Sequence, residues 1–285
     1  MIKVLSIGNS FADNATSQIE KFAAADHFDL FVGKANIGGC SLEKHWNLVE
    51  QCDLISSVKP YQFYRTGKET IPATLKEALC AEKWDYITLQ QVSDYSYRSS
   101  TYFPYIEKLS AFVKQYAPTA EQLIHQTWAY RIDSDEFKRY GINQEEMHLL
   151  LTRAYQIASE KLGSLRILPN GRAMELATAL FNFVPDATFD PSQAIYPNLP
   201  NQEKALIGGY HWATGATPTG KPTLINDGRH CNTKGCYLVG ALWYAALCGQ
   251  SLQNNSYRPD GVSEEEIATL KNCAKQALTE FGWNR

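Results

Sequence analysis

The sequence has no C-x-x-C pair among its seven cysteines, and seven is an odd number, so neither a zinc site nor a disulfide framework announces itself. Reduced thiols and no bound metal are the expectation. An excess of positive charge is also missing. Lys and Arg number 27 against 30 Asp and Glu, a net charge of -3 with the cations scattered, which cannot neutralise a row of phosphates. Nucleic acid is therefore not an expected partner. The longest apolar run, Tyr237 to Cys248, falls well short of the ~20 residues a spanning helix needs, and no membrane partner is expected either. The first apolar segment starts directly after Met1 and leaves no room for a signal peptide, so the sequence as it stands reads as cytoplasmic unless a leader has been removed. Repeats, low-complexity tracts and linkers are lacking too. The 285 residues, 44% of them hydrophobic, suit a single domain with a sizeable core, and nothing in them signals an oligomeric state.

What is present is an alternation of short branched apolar runs with segments of helical period, the pattern of βαβ units and a parallel sheet. Five strands are predicted, at Ile2 to Gly8, Asp29 to Ala35, Tyr86 to Gln90, Gln122 to Thr127 and Leu165 to Leu168. Between the first two, Ala15, Ile19, Phe22 and Ala23 share a helical face that Asp13 or Asn14 can cap. Helices are also predicted over Tyr105 to Tyr116, stopped by Pro118, and over Gln144 to Leu162, ended by Gly163. A last one follows the capping box of Ser263 and Glu266. The Tyr237 to Cys248 run, apolar nearly all round, reads as a buried helix. Two stretches without a clean period, about 46-71 and 183-226, read as long loops walling a pocket.

Ser10 stands at the end of the first strand in Ile7-Gly8-Asn9-Ser10-Phe11, on the turn into a helix. In an open α/β sheet this edge is where ligands bind, and backbone N–H groups at a helix start favour developing negative charge. The plainer reading is that Ser10 caps the helix. A nucleophilic serine needs a base. Of the six histidines, His148 falls within a helix, His27 at a helix end and His125 inside a strand. His230 differs because Asp227 precedes it by three residues, just ahead of the buried helix, so one turn of chain can let the carboxylate orient the imidazole. The plainer reading here is a capping Asp beside a solvated His.

Taken together, these segments resemble the SGNH (GDSL-like) hydrolases, whose blocks occur in this chain order. Gly8-Asn9-Ser10 looks like the first block, with Asn9 where Asp is usual, and Asn36-Ile37-Gly38-Gly39-Cys40-Ser41 resembles the second. Asp227-Gly228-Arg229-His230 matches the D-x-x-H of the last. The third block departs from the usual G-x-N-D: Thr88-Leu89-Gln90-Gln91-Val92-Ser93 has no Asn, and Gln90, with Gln91 close behind, is the candidate side-chain donor. The Leu-Gln-Gln and Gly-Asn-Ser-Phe segments resemble in particular a poorly characterised bacterial branch.

The resemblance implies a three-layer α/β/α sandwich with a five-stranded parallel sheet in the flavodoxin-like order 2-1-3-4-5. It also implies a serine esterase that needs no cofactor. Ser10 would attack an ester carbonyl, His230 would move the proton, Asp227 would orient His230, and the N–H groups of Ser10 and Gly39 with a Gln90 amide would hold the oxyanion.

Aromatics concentrate in the irregular stretches, and Trp46, Tyr95 and Trp128 among them are expected to contact substrate, a small-molecule or saccharide ester with a short acyl group such as acetyl. Many of these rings can equally be loop packing. Three rivals stand beside this reading: a carbohydrate-binding or structural module of the same fold without turnover, a glycosidase using Asp85 and Asp94, and a thiol mechanism at Cys40 or Cys231.

Overall fold

The computed structural model describes residues 1–213 and 220–283. Its first strand, β1 (Ile2–Gly8), is buried from Val4 onward, because it lies inside a sheet and is covered on both faces. That is why IKVLSIG shows no polar alternation. Two short helices, α1 (Ser10–Thr16) and α2 (Ile19–Ala25), carry the chain to β2 (Leu30–Asn36), which pairs parallel with β1 from Ile2↔Leu30 to Gly8↔Asn36. The helix after β1 thus begins at Ser10 and is capped by Asn9, not by Asp13 or Asn14.

Next come α3 (Leu42–Leu54), the hairpin β3 (Tyr61–Arg65) and β4 (Lys68–Ala73), α4 (Leu75–Cys80) and β5 (Tyr86–Leu89). After these the chain makes α5 (Tyr105–Tyr116), β6 (Glu121–His125), α6 (Glu136–Tyr140), α7 (Gln144–Lys161), β7 (Ile167–Leu168) and α8 (Asn170–Phe181). A second hairpin, β8 (Tyr210–Ala213) and β9 (Thr223–Asn226), precedes α9 (Thr233–Cys248) and α10 (Glu264–Glu280). The capping box of Ser263 and Glu266 stands at the start of α10 as expected.

The main sheet has seven strands in the order β4-β3-β2-β1-β5-β6-β7. Its parallel part, β2-β1-β5-β6-β7, has the expected order, but β3 and β4 add an antiparallel edge beside β2, so the sheet is mixed. The expectation of a purely parallel five-stranded sheet is corrected to that extent, and so is that of a loop over 46–71, which is the end of α3 and this hairpin. Tyr61 and Phe63 of β3 point into the core, and the exposed edge strand carries Lys68, Glu69 and Pro72, residues that discourage further strand pairing. Gly33 of β2 leaves room for a neighbour: a Cβ there would lie 2.4 Å from the ring of buried Trp84.

Helices α1, α2, α8, α9 and α10 pack together as one layer, and α3, α4 and α5 belong to the other. The apolar helix α9 is buried along nearly its whole length, from Gly235 through Leu238 and Trp243 to Leu247, as its composition requires. Strand order reverses between β1 and β5. Ser10, Gln90 and the turn after β2 therefore all emerge at the carboxyl edge of the sheet beside the switch point, where α/β proteins bind ligands.

Candidate active site

Ser10 is the first residue of α1, and the residue before it organises the turn. Asn9 is 1% exposed, and its side chain makes three hydrogen bonds to three segments. Its Oδ1 accepts from the Phe11 N–H at 3.1 Å and from Gln90 Nε2 at 2.8 Å, while its Nδ2 donates to the Cys40 carbonyl at 3.0 Å. An ionised carboxylate could not make the donating bond, whereas the amide makes all three. The loops after β1, β2 and β5 are thereby tied into one cradle. The tip of the β2 loop is a turn closed by the Cys40 N–H on the Ile37 carbonyl at 3.0 Å, with exposed Gly39 at φ +63°, a conformation that suits glycine.

His230 enters from the other end of the chain. Its Nε2 lies 2.8 Å from Ser10 Oγ, and its Nδ1 is 3.0 Å from both carboxylate oxygens of Asp227. Burial alone would raise the Asp227 carboxyl. The hydrogen bond and charge of His230, with the backbone N–H groups of His230 and Arg229, overcome this and bring its pKa from 3.8 to about 2. The carboxylate is thus anionic at neutral pH and fixes which ring nitrogen carries hydrogen. Nε2 is left to accept from the serine hydroxyl.

The turn carrying Asp227 and His230 is fastened on every side. Within the 183–226 stretch, residues 206–209 run alongside it: Gly208 N–H donates to the His230 carbonyl at 2.7 Å, and Asp227 N–H donates to Gly209 at 3.0 Å. The expectation of a loop over 183–226 is corrected in part, since its end forms the β8–β9 hairpin; residues 214–219 of it lie outside the described residues. Asn14 Oδ1, on α1, accepts the Cys231 N–H at 3.0 Å. Arg229 reaches the other way, to Asp94 after β5 at 3.3 Å and to Glu136 of α6, with its guanidinium 5.5 Å from the centre of the Tyr130 ring. From the sequence Asn14 was expected only as a helix cap and Arg229 only as part of the D-x-x-H block, and neither carried a signal for these contacts.

Other residues expected at the site are placed differently. The Gln90 amide nitrogen points at Asn9, so Gln90 braces the turn from beneath. Gln91 donates to the Thr101 carbonyl at 2.9 Å and accepts from the N–H groups of Leu42 and Val92, which uses both ends of its amide structurally. Trp46 lies on the outer face between α3 and α5, edge-on to Phe112 and bonded to Glu50. Trp128 is fully buried, with its indole N–H on the Arg229 carbonyl at 2.9 Å. The substrate contacts expected of Trp46 and Trp128 are therefore corrected to structural ones. Tyr95 remains an exposed ring in the loop after β5.

The rival chemistries fit less well. Asp85 accepts the Lys3 N–H at the start of β5, at the sheet edge opposite Ser10, whereas Asp94 pairs with Arg229 and Arg139 beyond its end, so the two do not face one bond. Burial pushes the Cys40 thiol up to about 12 and the Cys231 thiol well above its ordinary range, which keeps both protonated and poorly nucleophilic. Among the described residues, no three His, Cys, Asp or Glu side chains converge as metal ligands would.

Among solved structures, the chain is similar to a DUF4886 family protein from Bacteroides uniformis, with 26% identity over 98% of this chain and 95% of that one and a TM-score of 0.76. Fainter likenesses are to a candidate SGNH hydrolase from Slackia heliotrinireducens (18% identity, 84% of this chain and 95% of that, TM-score 0.48). Another is to a candidate GDSL-like lipase from Parabacteroides merdae (14% identity, 87% and 96%, TM-score 0.48). No curated protein matches the sequence. The family model for DUF4886, a domain of unknown function, matches residues 3–186, a span that holds Ser10, Gly39 and Gln90 and ends before Asp227. With that model covering more than half its length, the chain belongs to the DUF4886 family.

Proposed function

We propose that the protein is a serine esterase acting through Ser10, His230 and Asp227. The observation that carries the reading is the unbroken chain from hydroxyl to imidazole to carboxylate, with links of 2.8 and 3.0 Å. Ser10 Oγ attacks the ester carbonyl as His230 Nε2 takes its proton. The tetrahedral intermediate collapses as His230 returns that proton to the departing alcohol, and a water deacylates Ser10 by the same route. The N–H groups of Ser10 and Gly39 are the oxyanion donors in this scheme, each worth roughly 10²–10³ in rate. The exposed Tyr95 ring, in the loop after β5, suits stacking on a sugar face, and the substrate we favour is a short-chain, acetyl-type ester of a carbohydrate.

One observation favours a second reading. With the Gln90 amide turned to Asn9, the oxyanion lacks the expected side-chain donor, as suits a saccharide-binding module without turnover. Hydrolysis of p-nitrophenyl acetate and its longer-chain homologues, by the wild type beside Ser10→Ala, separates the two. The esterase predicts turnover that falls with chain length and is lost by about 10³-fold or more in the variant. A binding module predicts no turnover in either.

The pH dependence follows from the depressed Asp227. Because its pKa lies near 2, it stays ionised as pH falls below the ordinary carboxylate value of 3.8 and goes on orienting His230 there. The acid limb of kcat/KM should therefore carry no contribution from an ordinary carboxylate near 3.8. A break there that Asp227→Asn removes would show that the site does not hold Asp227 ionised.

A further inference from the structure

We propose that Trp128 is a positioning residue, the side chain that fixes the reach of His230 for Ser10. The inference rests on the esterase reading above and adds a residue that touches neither substrate nor the reacting atoms. Trp128 has no exposed surface, follows β6, and contacts the neighbours of both reacting residues. Its ring stacks on Phe11, the residue after Ser10, with centroids 4.4 Å apart and planes at 26°. Its indole N–H donates at 2.9 Å to the carbonyl of Arg229, the residue before His230. Phe11 in turn lies 5.6 Å from the His230 ring.

One rigid side chain thus spans the two halves of the site, which are 220 residues apart in sequence. A buried indole N–H holds its acceptor firmly, since the unpaired group is costly away from water. Proton transfer between Ser10 and His230 tolerates little displacement, and a shift of about 1 Å can cost ~10²-fold in rate. The loop after β6 therefore acts on the chemistry without contributing to it.

The test compares wild type, Ser10→Ala, Trp128→Phe and Phe11→Leu for kcat, KM, the rate of inactivation by an organophosphate, and thermal unfolding. Trp128→Phe keeps an aromatic ring over Phe11 and removes the donor. It is expected to lower kcat by about 10–100-fold, with KM changed less than about 3-fold, and to slow inactivation by the same factor as kcat, since phosphonylation also needs His230 to take the Ser10 proton. If a folded Trp128→Phe turns over at the wild-type rate while Ser10→Ala is dead, the positioning role is overturned and the esterase reading stands. If Ser10→Ala is fully active, the esterase reading itself fails, and this inference with it. Should Trp128→Phe not fold, Phe11→Leu decides through the stacking contact: the same split between kcat and KM supports the role, and an unchanged kcat overturns it.

Discussion

Asp227→Asn is expected to lower kcat for ester hydrolysis by about 10⁴-fold while leaving the fold intact. Both carboxylate oxygens lie 3.0 Å from His230 Nδ1, so the imidazole must present Nδ1–H to them. An Asn keeps one oxygen for the backbone N–H groups of Arg229 and His230, which Asp227 Oδ1 now accepts at 3.3 and 3.2 Å. With that oxygen turned to the backbone, the amide NH2 faces Nδ1 and favours the other tautomer. Hydrogen then sits on Nε2, and the ring can no longer take a proton from Ser10. Steady-state kinetics beside circular dichroism check this. A folded variant losing less than about tenfold would mean that Asp227 does not set the tautomer.

Asn9→Asp, a change to the residue more usual in the resembling block, is expected to destabilise the protein by about 3 kcal/mol at neutral pH. The site is closed to water, and the Nδ2 position sits 3.0 Å from the Cys40 carbonyl, so a carboxylate oxygen there would face another oxygen with no hydrogen between them. Protonating the new carboxyl would restore a donor. Its folded-state pKa is therefore raised above the unfolded value of about 3.9, so the penalty is absent below that pH and grows as pH rises toward the folded pKa, by roughly 1.4 kcal/mol per pH unit. Urea unfolding of both proteins at about pH 5 and about pH 7 reads this directly. A penalty that does not change with pH would place the cost elsewhere, and no penalty would mean that the Asn9–Cys40 bond does not hold the cradle.

The parts of the fold legible in the sequence were those dictated by burial. Mostly apolar runs such as Val4 to Ile7 and Tyr86 to Leu89, broken only by Ser6 and Thr88, mark strands covered on both faces, and the all-round apolar stretch before Cys248 marks an inner helix. The β3–β4 hairpin was missed because only one of its strands shows alternation, Tyr61 and Phe63 inward with Gln62 outward. The other is exposed over five of its six residues and carries a proline. At the candidate site, Ser10, Asp227 and His230 were singled out by local spacing together with the block resemblance, and the structure brings their side chains within hydrogen-bond distance of one another. The placements of Gln90, Gln91 and Trp128 were not, since a side chain's partner across the fold, Asn9, Thr101 or Arg229, leaves no periodic trace in sequence. Trp46 misled for a related reason: aromatic content in an apparently irregular stretch does not distinguish a pocket wall from the outer seam of two helices, here α3 and α5.

The most direct test of the serine mechanism is to treat the folded protein with a fluorophosphonate and locate the adduct by peptide mass spectrometry. The account predicts one phosphonylated residue, Ser10, with labelling abolished in His230→Ala. Ester hydrolysis that continues at the wild-type rate with Ser10 unlabelled, or an adduct on any other residue, would contradict it.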